Sequence, residues 1–215
     1  MKKIPNLFER DWNGDKSRVL PELHKGADVE WVLRGEGVPT VKWDGSAVLV
    51  RAGQLLVRFD AKNGKAKPAG FEPCQEVDPQ TGHQPGWIPS EGNPAAKWHV
   101  DAFRNSGGRD LPDGTYEACG PQFQSNPHRL PANLLVRHGA NVIDDLPPRP
   151  WLDAGDAFEA VRSHLAGHDI EGIVFHHPDG RMVKVLASDL GLPWKAKTRS
   201  PKPAAEMTAS PGGTP

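Results

Sequence analysis

The chain has 215 residues, enough to bury one substantial core and short for two well-built ones; its 25% charged and 37% hydrophobic residues are those of an ordinary globular domain. A formal net charge of -1 excludes a generally cationic, nucleic-acid-coating surface, so any nucleic-acid partner has to be met by a local basic groove. Cys74 and Cys119 form no CxxC pair, which excludes a disulfide framework and argues against a thiolate zinc site, and suits a reducing compartment.

The opening MKKIPNLFERDWNGD is basic but has no apolar stretch of signal-peptide length, and no later run approaches the ~20 residues that span a bilayer. A cytoplasmic protein without a membrane partner is expected. From Val29 to Phe59 the runs VEWVLRG, VPTVKWDG and SAVLVRAGQLLVRFD predict a meander of short strands, with Ala52-Gly53 as a tight hairpin turn. Residues 62 to 97, rich in Pro, Gly and Lys and without periodicity, predict a long ordered loop. GTYEACGP at 114 to 121 and NLLVRHGANVI at 133 to 143 predict two more strands. Between Asp153 and His168 the apolar Phe158, Val161 and Leu165 recur at helical spacing, predicting a helix capped by Asp153 or Asp156. IEGIVFHH and RMVKVL flank a PDG turn at 178 to 180 and predict a two-stranded hairpin. The tail, 195 to 215, has four prolines and hardly any bulky apolar residues, so it cannot repay its ordering entropy and is expected to be disordered, leaving 1 to 194 as one folded domain.

Chemistry is suggested by Lys42-Trp43-Asp44-Gly45, a KxDG pattern that alone recurs by chance at the end of many strands. It gains weight because VRFD at 57 to 60, YEACGP at 116 to 121, EGIVFHH at 171 to 177 and MVKV at 182 to 185 follow in a fixed order. Together these resemble the covalent nucleotidyltransferase superfamily of ligases and capping enzymes, whose motifs are a KxDG nucleophile loop, an arginine after the next hairpin, a strand glutamate, an EG(I/V)(V/I) strand and a final lysine strand. HQPGWIP at 83 to 89, NPHRLPANLLVRHGA at 126 to 140 and DLGLPW at 189 to 194 extend the likeness, over roughly residues 30 to 194, to the 5′-3′ RNA ligase family that includes vertebrate RNA ligase 1.

The resemblance implies an α+β fold of the ATP-grasp-like nucleotidyltransferase (adenylation) type, with twisted antiparallel sheets around an ATP cleft and no oligonucleotide-binding barrel after residue 194. It implies ATP and Mg²⁺ as cofactors, with Mn²⁺ as a substitute, and RNA 5′-phosphate and 3′-hydroxyl ends as partners; no protein partner is indicated. Lys42 would take AMP from ATP, AMP would pass to an RNA 5′-phosphate, and a 3′-hydroxyl would displace it. An attacking amine must be neutral, which for a lysine of ordinary pKa ~10.4 costs ~4.6 kcal/mol at pH 7, so nearby positive charge from Lys184 and a phosphate-bound cation has work to do. Asp44 and Gly45 would aim Lys42, Gly45 through positive φ or close backbone approach.

By the same resemblance Arg58 would contact a phosphate, Glu117 the ribose hydroxyls, and Glu171 the metal. Unaided, the residues read more plainly: an arginine near a strand end usually faces solvent, and strand glutamates usually face water. Lys184, between Val183 and Val185, alternates to the face opposite both valines. The commonest superfamily pattern has a second lysine two residues away, but 182 and 186 are Met and Leu, so Arg181, Lys62 and Lys65 become candidates for the missing contact. His138 reads as a buried or surface histidine as readily as a ligand, and a zinc site from His176, His177 and Cys119 is rejected because adjacent strand residues point to opposite faces. A DNA ligase or another AMP transferase is the enzymatic alternative, and a non-catalytic RNA- or nucleotide-binding module the alternative from another class.

Overall fold

Alternation of apolar and polar residues produces antiparallel sheets that each bury one face. The computed structural model describes residues 2–146 and 149–194; the tail expected to be disordered lies outside them. In chain order the strands are β1 (Phe8–Arg10), β2 (Val19–Leu23), β3 (Val38–Lys42), β4 (Ser46–Arg51), β5 (Gln54–Ala61), β6 (Glu72–Pro73), β7 (Gln84–Pro89), β8 (Gly114–Cys119), β9 (Leu134–Arg137), β10 (Gly172–His176) and β11 (Met182–Leu186). The helices are α1 (Lys97–Asn105), before β8, and α2 (Ala154–Gly167), before β10.

A six-stranded sheet has the order β6-β7-β5-β4-β8-β9, and a three-stranded sheet the order β11-β10-β3. β1 and β2 pair separately, and the segment before β1 lies along β11, where the Lys184 N–H donates to the Pro5 carbonyl and the Leu7 N–H to the Lys184 carbonyl. On the other edge, the Val41 N–H donates to Asn141 and the Ile143 N–H to Pro39. Each sheet packs its outward face on a core. Val48, Val50, Leu55, Val57, Tyr116, Ala118 and Leu135 of the large sheet bury against Ala102 and Phe103 of α1, whereas Ile173, Phe175, Val183 and Val185 of the small sheet bury against Ala157, Val161 and Leu165 of α2.

Several expectations hold in detail. Ala52 and Gly53 both adopt left-handed φ, 49° and 70°, as a type I′ hairpin turn requires. The Asp153 side chain caps α2 by accepting the Asp156 N–H, and β10 and β11 pair across the expected turn. Others are corrected. VEWVLRG is no strand: Glu30–Val32 forms a 3₁₀ turn that buries Trp31 and Val32, the Trp31 indole donating to the Asp28 carbonyl. Nor is the meander continuous, because β3 belongs to one sheet and β4 to the other. The stretch 62 to 97 is not all loop, since β7 pairs with β5 along its whole length and buries every residue but Pro89. Among the described residues no helix is long and apolar enough to cross a membrane.

Candidate active site

The chain crosses from the small sheet to the large one through Trp43, Asp44 and Gly45, so Lys42, the last residue of β3, sits where the two sheets meet. Gly45 is required by space and not by φ: a Cβ there would lie 2.2 Å from the Ala118 carbonyl oxygen on β8. The crossing is pinned from several sides. The Asp44 N–H donates to His128 Nε2 (2.9 Å), the Trp194 indole donates to the Asp44 carboxylate (3.3 Å), and Gln124 donates to the Gly45 carbonyl (3.2 Å). The His128 ring lies 4.5 Å from that of Trp43 and 5.9 Å from that of Trp194. Burial lowers the His128 pKa, so the ring stays an acceptor for the Asp44 amide.

Gly172 fixes the neighbour of Lys42 in the same way. It faces Lys42 on β3 and Leu186 on β11, and a Cβ would meet the Val185 carbonyl at 2.2 Å. Glu171, immediately before it, accepts a 2.5 Å hydrogen bond from the Lys42 ammonium, both side chains being largely buried. Burial pushes the Glu171 carboxyl above the ordinary carboxylate range, and the Lys42 charge opposes that rise.

Register places Thr40, Val174 and Lys184 side by side on the inner face of the small sheet, with His176 and Met182 next along it. On the inner face of the large sheet Ala47 lies opposite Glu117. Residues of both faces line one cavity of about 240 Å³, among them Lys42, Arg58, Glu117, His138, His176 and Lys184. Lys184 alternates inward as its flanking valines imply; burial lowers its pKa, the Lys42 charge adds to that effect, and Asp189 and Glu171 resist it. Glu117 is held by His138, whose Nε2 lies 2.9 Å from the carboxylate while its Nδ1 is buried with no hydrogen-bond partner among the described residues. The Arg58 guanidinium lies 5.4 Å over the Trp87 ring and contacts the Cys74 sulfur at 3.7 Å.

Lys42, Arg58, Glu117 and Lys184 thus share one cavity, and Glu171 reaches it through Lys42. Asp44 turns instead toward Trp194 and His128 and serves the crossing. None of the three residues named as candidates for the missing cation lines the cavity. Arg181 is engaged by Asp28 and Asp179, and Lys62 and Lys65 lie on the exposed stretch after β5. Lys2 and Lys3 line it instead, and Lys3 is close enough to Lys184 for their charges to repel. A wider open trough of about 870 Å³ shares Lys2 and Lys3 with the cavity and holds none of the motif residues. Lys2 and Lys3 were passed over by the sequence patterns, and His138 and His176, weighed there as a plain histidine and a rejected zinc ligand, line the cavity as well. Only the basic start of the chain could have signalled the lysines, and nothing local shows that the segment returns to β11. His177 faces Glu36 and Asp179, away from His176, and Cys119 is buried beside the Asp44 carbonyl with its pKa pushed up to about 12, first by burial and then by Glu117 and Asp44.

The family model described as RNA ligase 1 matches residues 104–205. The chain is 30% identical over 166 residues to the RNA ligase 1 proteins of Pongo abelii and of Rattus norvegicus, covering 60% of this chain and 50% of each relative. It is 27% identical over 146 residues to that of Danio rerio, covering 55% and 44%. The chain therefore spans about half the length of the curated relatives it matches. Over the matched residues, which include Glu171 and the strand carrying Lys184, this chain is similar to the RNA ligase 1 proteins.

Proposed function

We propose that the protein is an ATP-dependent RNA ligase built on a nucleotidyltransferase fold, working through a lysyl-AMP intermediate. The observation that carries this reading is the convergence of Lys42, Glu171, Lys184, Arg58 and the Glu117–His138 pair at the junction of two sheets. In the first step the Lys42 amine attacks the α-phosphorus of ATP; a P–N bond forms, the bond to the β-phosphate oxygen breaks, and pyrophosphate leaves. The Lys42 proton has an acceptor at hand in Glu171, a buried carboxylate that holds a proton more readily than an exposed one. Lys184 adds positive charge beside Lys42 and the phosphates, favouring the neutral nucleophile and opposing charge build-up at phosphorus. Arg58 offers a planar donor fork for a phosphate, and Lys3 a second cation in place of the missing strand lysine. Glu117, oriented by the nearby His138 Nε2, accepts from ribose hydroxyls.

The hard oxygen donors of Glu171 suit Mg²⁺ or Mn²⁺, which when bound with the triphosphate supplies further charge neutralisation. In the second step an RNA 5′-phosphate oxygen attacks the lysyl-AMP phosphorus, breaking the P–N bond and freeing Lys42. In the third a 3′-hydroxyl attacks the activated 5′-phosphate, forming the phosphodiester and releasing AMP. Incubation with ATP and Mg²⁺ followed by intact-mass measurement should show one added AMP, removable by acid and by 5′-phosphorylated RNA. Discharge by nicked DNA but not by RNA would redirect the reading to a DNA ligase, and no adduct under any condition would leave a nucleotide-binding module.

A further inference from the structure

We propose that His164, His168 and Asp145 form a binding site for a divalent transition-metal ion of the zinc class, separate from the nucleotide cavity. His164 lies in the last turn of α2 and His168 one residue past its end, four positions on, so both rings emerge on one side. Asp145 comes from the segment that runs along the outer edge of β3. One oxygen of its carboxylate, Oδ2, lies 3.4 Å from His164 Nδ1 and 3.4 Å from His168 Nε2. All three donor atoms fall within 4.8 Å of one another.

Those spacings are long for hydrogen bonds, which fall at about 2.7–3.2 Å. They match the ~3.3 Å that separates neighbouring ligands held tetrahedrally at about 2.0–2.1 Å from zinc. Proton accounting supports the same reading. His168 Nδ1 lies 2.8 Å from the His164 carbonyl oxygen, and a carbonyl only accepts, so Nδ1 carries the hydrogen. In the neutral ring Nε2 is then a bare lone pair aimed at a carboxylate oxygen, an arrangement that repels unless a cation lies between. A ring nitrogen fixed by its partner's hydrogen bond to a backbone carbonyl is the usual support of a metal-bound histidine.

Two further features favour a cation. The His164 side chain is only 6% exposed, so its ring is held in place with Nδ1 beside the Asp145 carboxylate. The carbonyl end of α2 places partial negative charge at the site. Val41, Val142, Ile143 and Ile170 form the apolar wall of the hollow in which the three ligands sit. Because Asn141 and Ile143 are hydrogen-bonded to β3, the ion would tie α2 to the edge of the strand that ends in Lys42. His168 is half exposed and on extended backbone, and its ring stacks on that of His164 at 4.1 Å, which keeps Nε2 on the side of Asp145.

The test is made on the full chain after dialysis against a chelator, by native mass spectrometry and thermal unfolding with Zn²⁺, Co²⁺ or Mg²⁺. The unaltered protein should bind one more equivalent of Zn²⁺ than the double variant Asp145→Asn/His168→Gln, both of whose positions are exposed. Zn²⁺ near 100 times Kd should raise Tm by about 5 °C or more, and Mg²⁺ should not. Co²⁺ should give visible absorption bands that the double variant lacks. If the double variant fails to fold, Asp145→Asn alone must still lower Zn²⁺ affinity at least tenfold. Equal stoichiometry and equal Tm response in the unaltered and variant proteins would overturn the site, as would an His168 that simply takes up a second proton and ignores Zn²⁺.

Discussion

At the scale of single residues, two lysines with like charge sit near one another, and the proposed mechanism gives them different duties that substitutions would separate. Lys42→Arg keeps the charge beside Glu171 yet offers no neutral amine, so it should gain no AMP mass at any pH at which the protein stays folded. A variant that still gained it would move the nucleophile elsewhere. Lys184 is a different case, because burial and the Lys42 charge both disfavour its ammonium. Its folded pKa lies below the ordinary lysine value, so the folded state holds this proton less tightly than the unfolded chain does and is destabilised wherever the group is charged. Lys184→Met should therefore raise Tm while cutting the rate of adduct formation by about a hundredfold or more. A lower Tm would mean that the lysine is a structural anchor. For Lys3 the proposed role is a phosphate contact from an exposed position, worth about a tenfold rise in the ATP concentration needed for half-maximal adduct, with little change in Tm. An unaltered ATP dependence in Lys3→Ala would return the missing cation to some other residue.

Among the elements, those whose apolar period matched their surroundings could be read from the chain. β4 and β11 alternate because each has one wet or polar face, β5 and β10 carry short runs of consecutive apolar residues bounded by turns, and α2 repeats its apolar positions because one stripe meets the small sheet. β7 escaped notice because Pro85, Gly86 and Pro89 read as turn residues; Gly86 is there because a Cβ would strike Phe71 and the Glu72 carbonyl. α1 was hidden for another reason: Ala102 and Phe103 are its buried residues, too few to set up a visible period. The motif order located the strands that carry Lys42, Glu117 and Lys184, but not the Lys42–Glu171 contact, which depends on pairing across 129 residues. The crossing between β3 and β4 offers a check on how closely that geometry is constrained. Gly45→Ala drives a methyl against the Ala118 carbonyl and should lower Tm and adduct yield together, whereas Gly167→Ala on α2 meets nothing within 4 Å and should be neutral or stabilising by up to ~1 kcal/mol. Equal behaviour of the two would show that the crossing tolerates displacement.

Across the whole molecule, the two cores lie on the outer faces of the sheets and the polar groups collect between them, which gives folding stability a definite pH dependence. His128 and His176 lie on or near the inner faces, His99 on α1 against the outer face of the large sheet and His164 beneath the end of α2, and burial lowers the pKa of all four below the ordinary histidine value of 6.5. The unfolded chain then binds protons on acidification that the folded chain refuses, so the contribution of these groups is fully present above pH 6.5 and is lost as pH falls through their folded values. Glu171 acts in the opposite sense, since its raised pKa lets the folded protein take up a proton, but it is one group against four. The carboxylates with lowered pKa, including Glu36, Glu72 and Asp179, begin to act only below their ordinary values of 3.8 to 4.5. Between pH 6.5 and 5 the histidines should dominate, and urea unfolding at pH 7.5, 6.5 and 5.5 should show stability falling at each step. His99 allows the cause to be isolated: its Nε2 lies 2.9 Å from the Ser46 hydroxyl and its Nδ1 is buried with no partner among the described residues. Glutamine there can keep a bond to Ser46 but cannot titrate, so His99→Gln should flatten the slope between pH 6.5 and 5.5 while leaving stability at pH 7.5 within about 1 kcal/mol of the parent. A slope unchanged by the substitution would transfer the acid sensitivity to His128, His164 and His176.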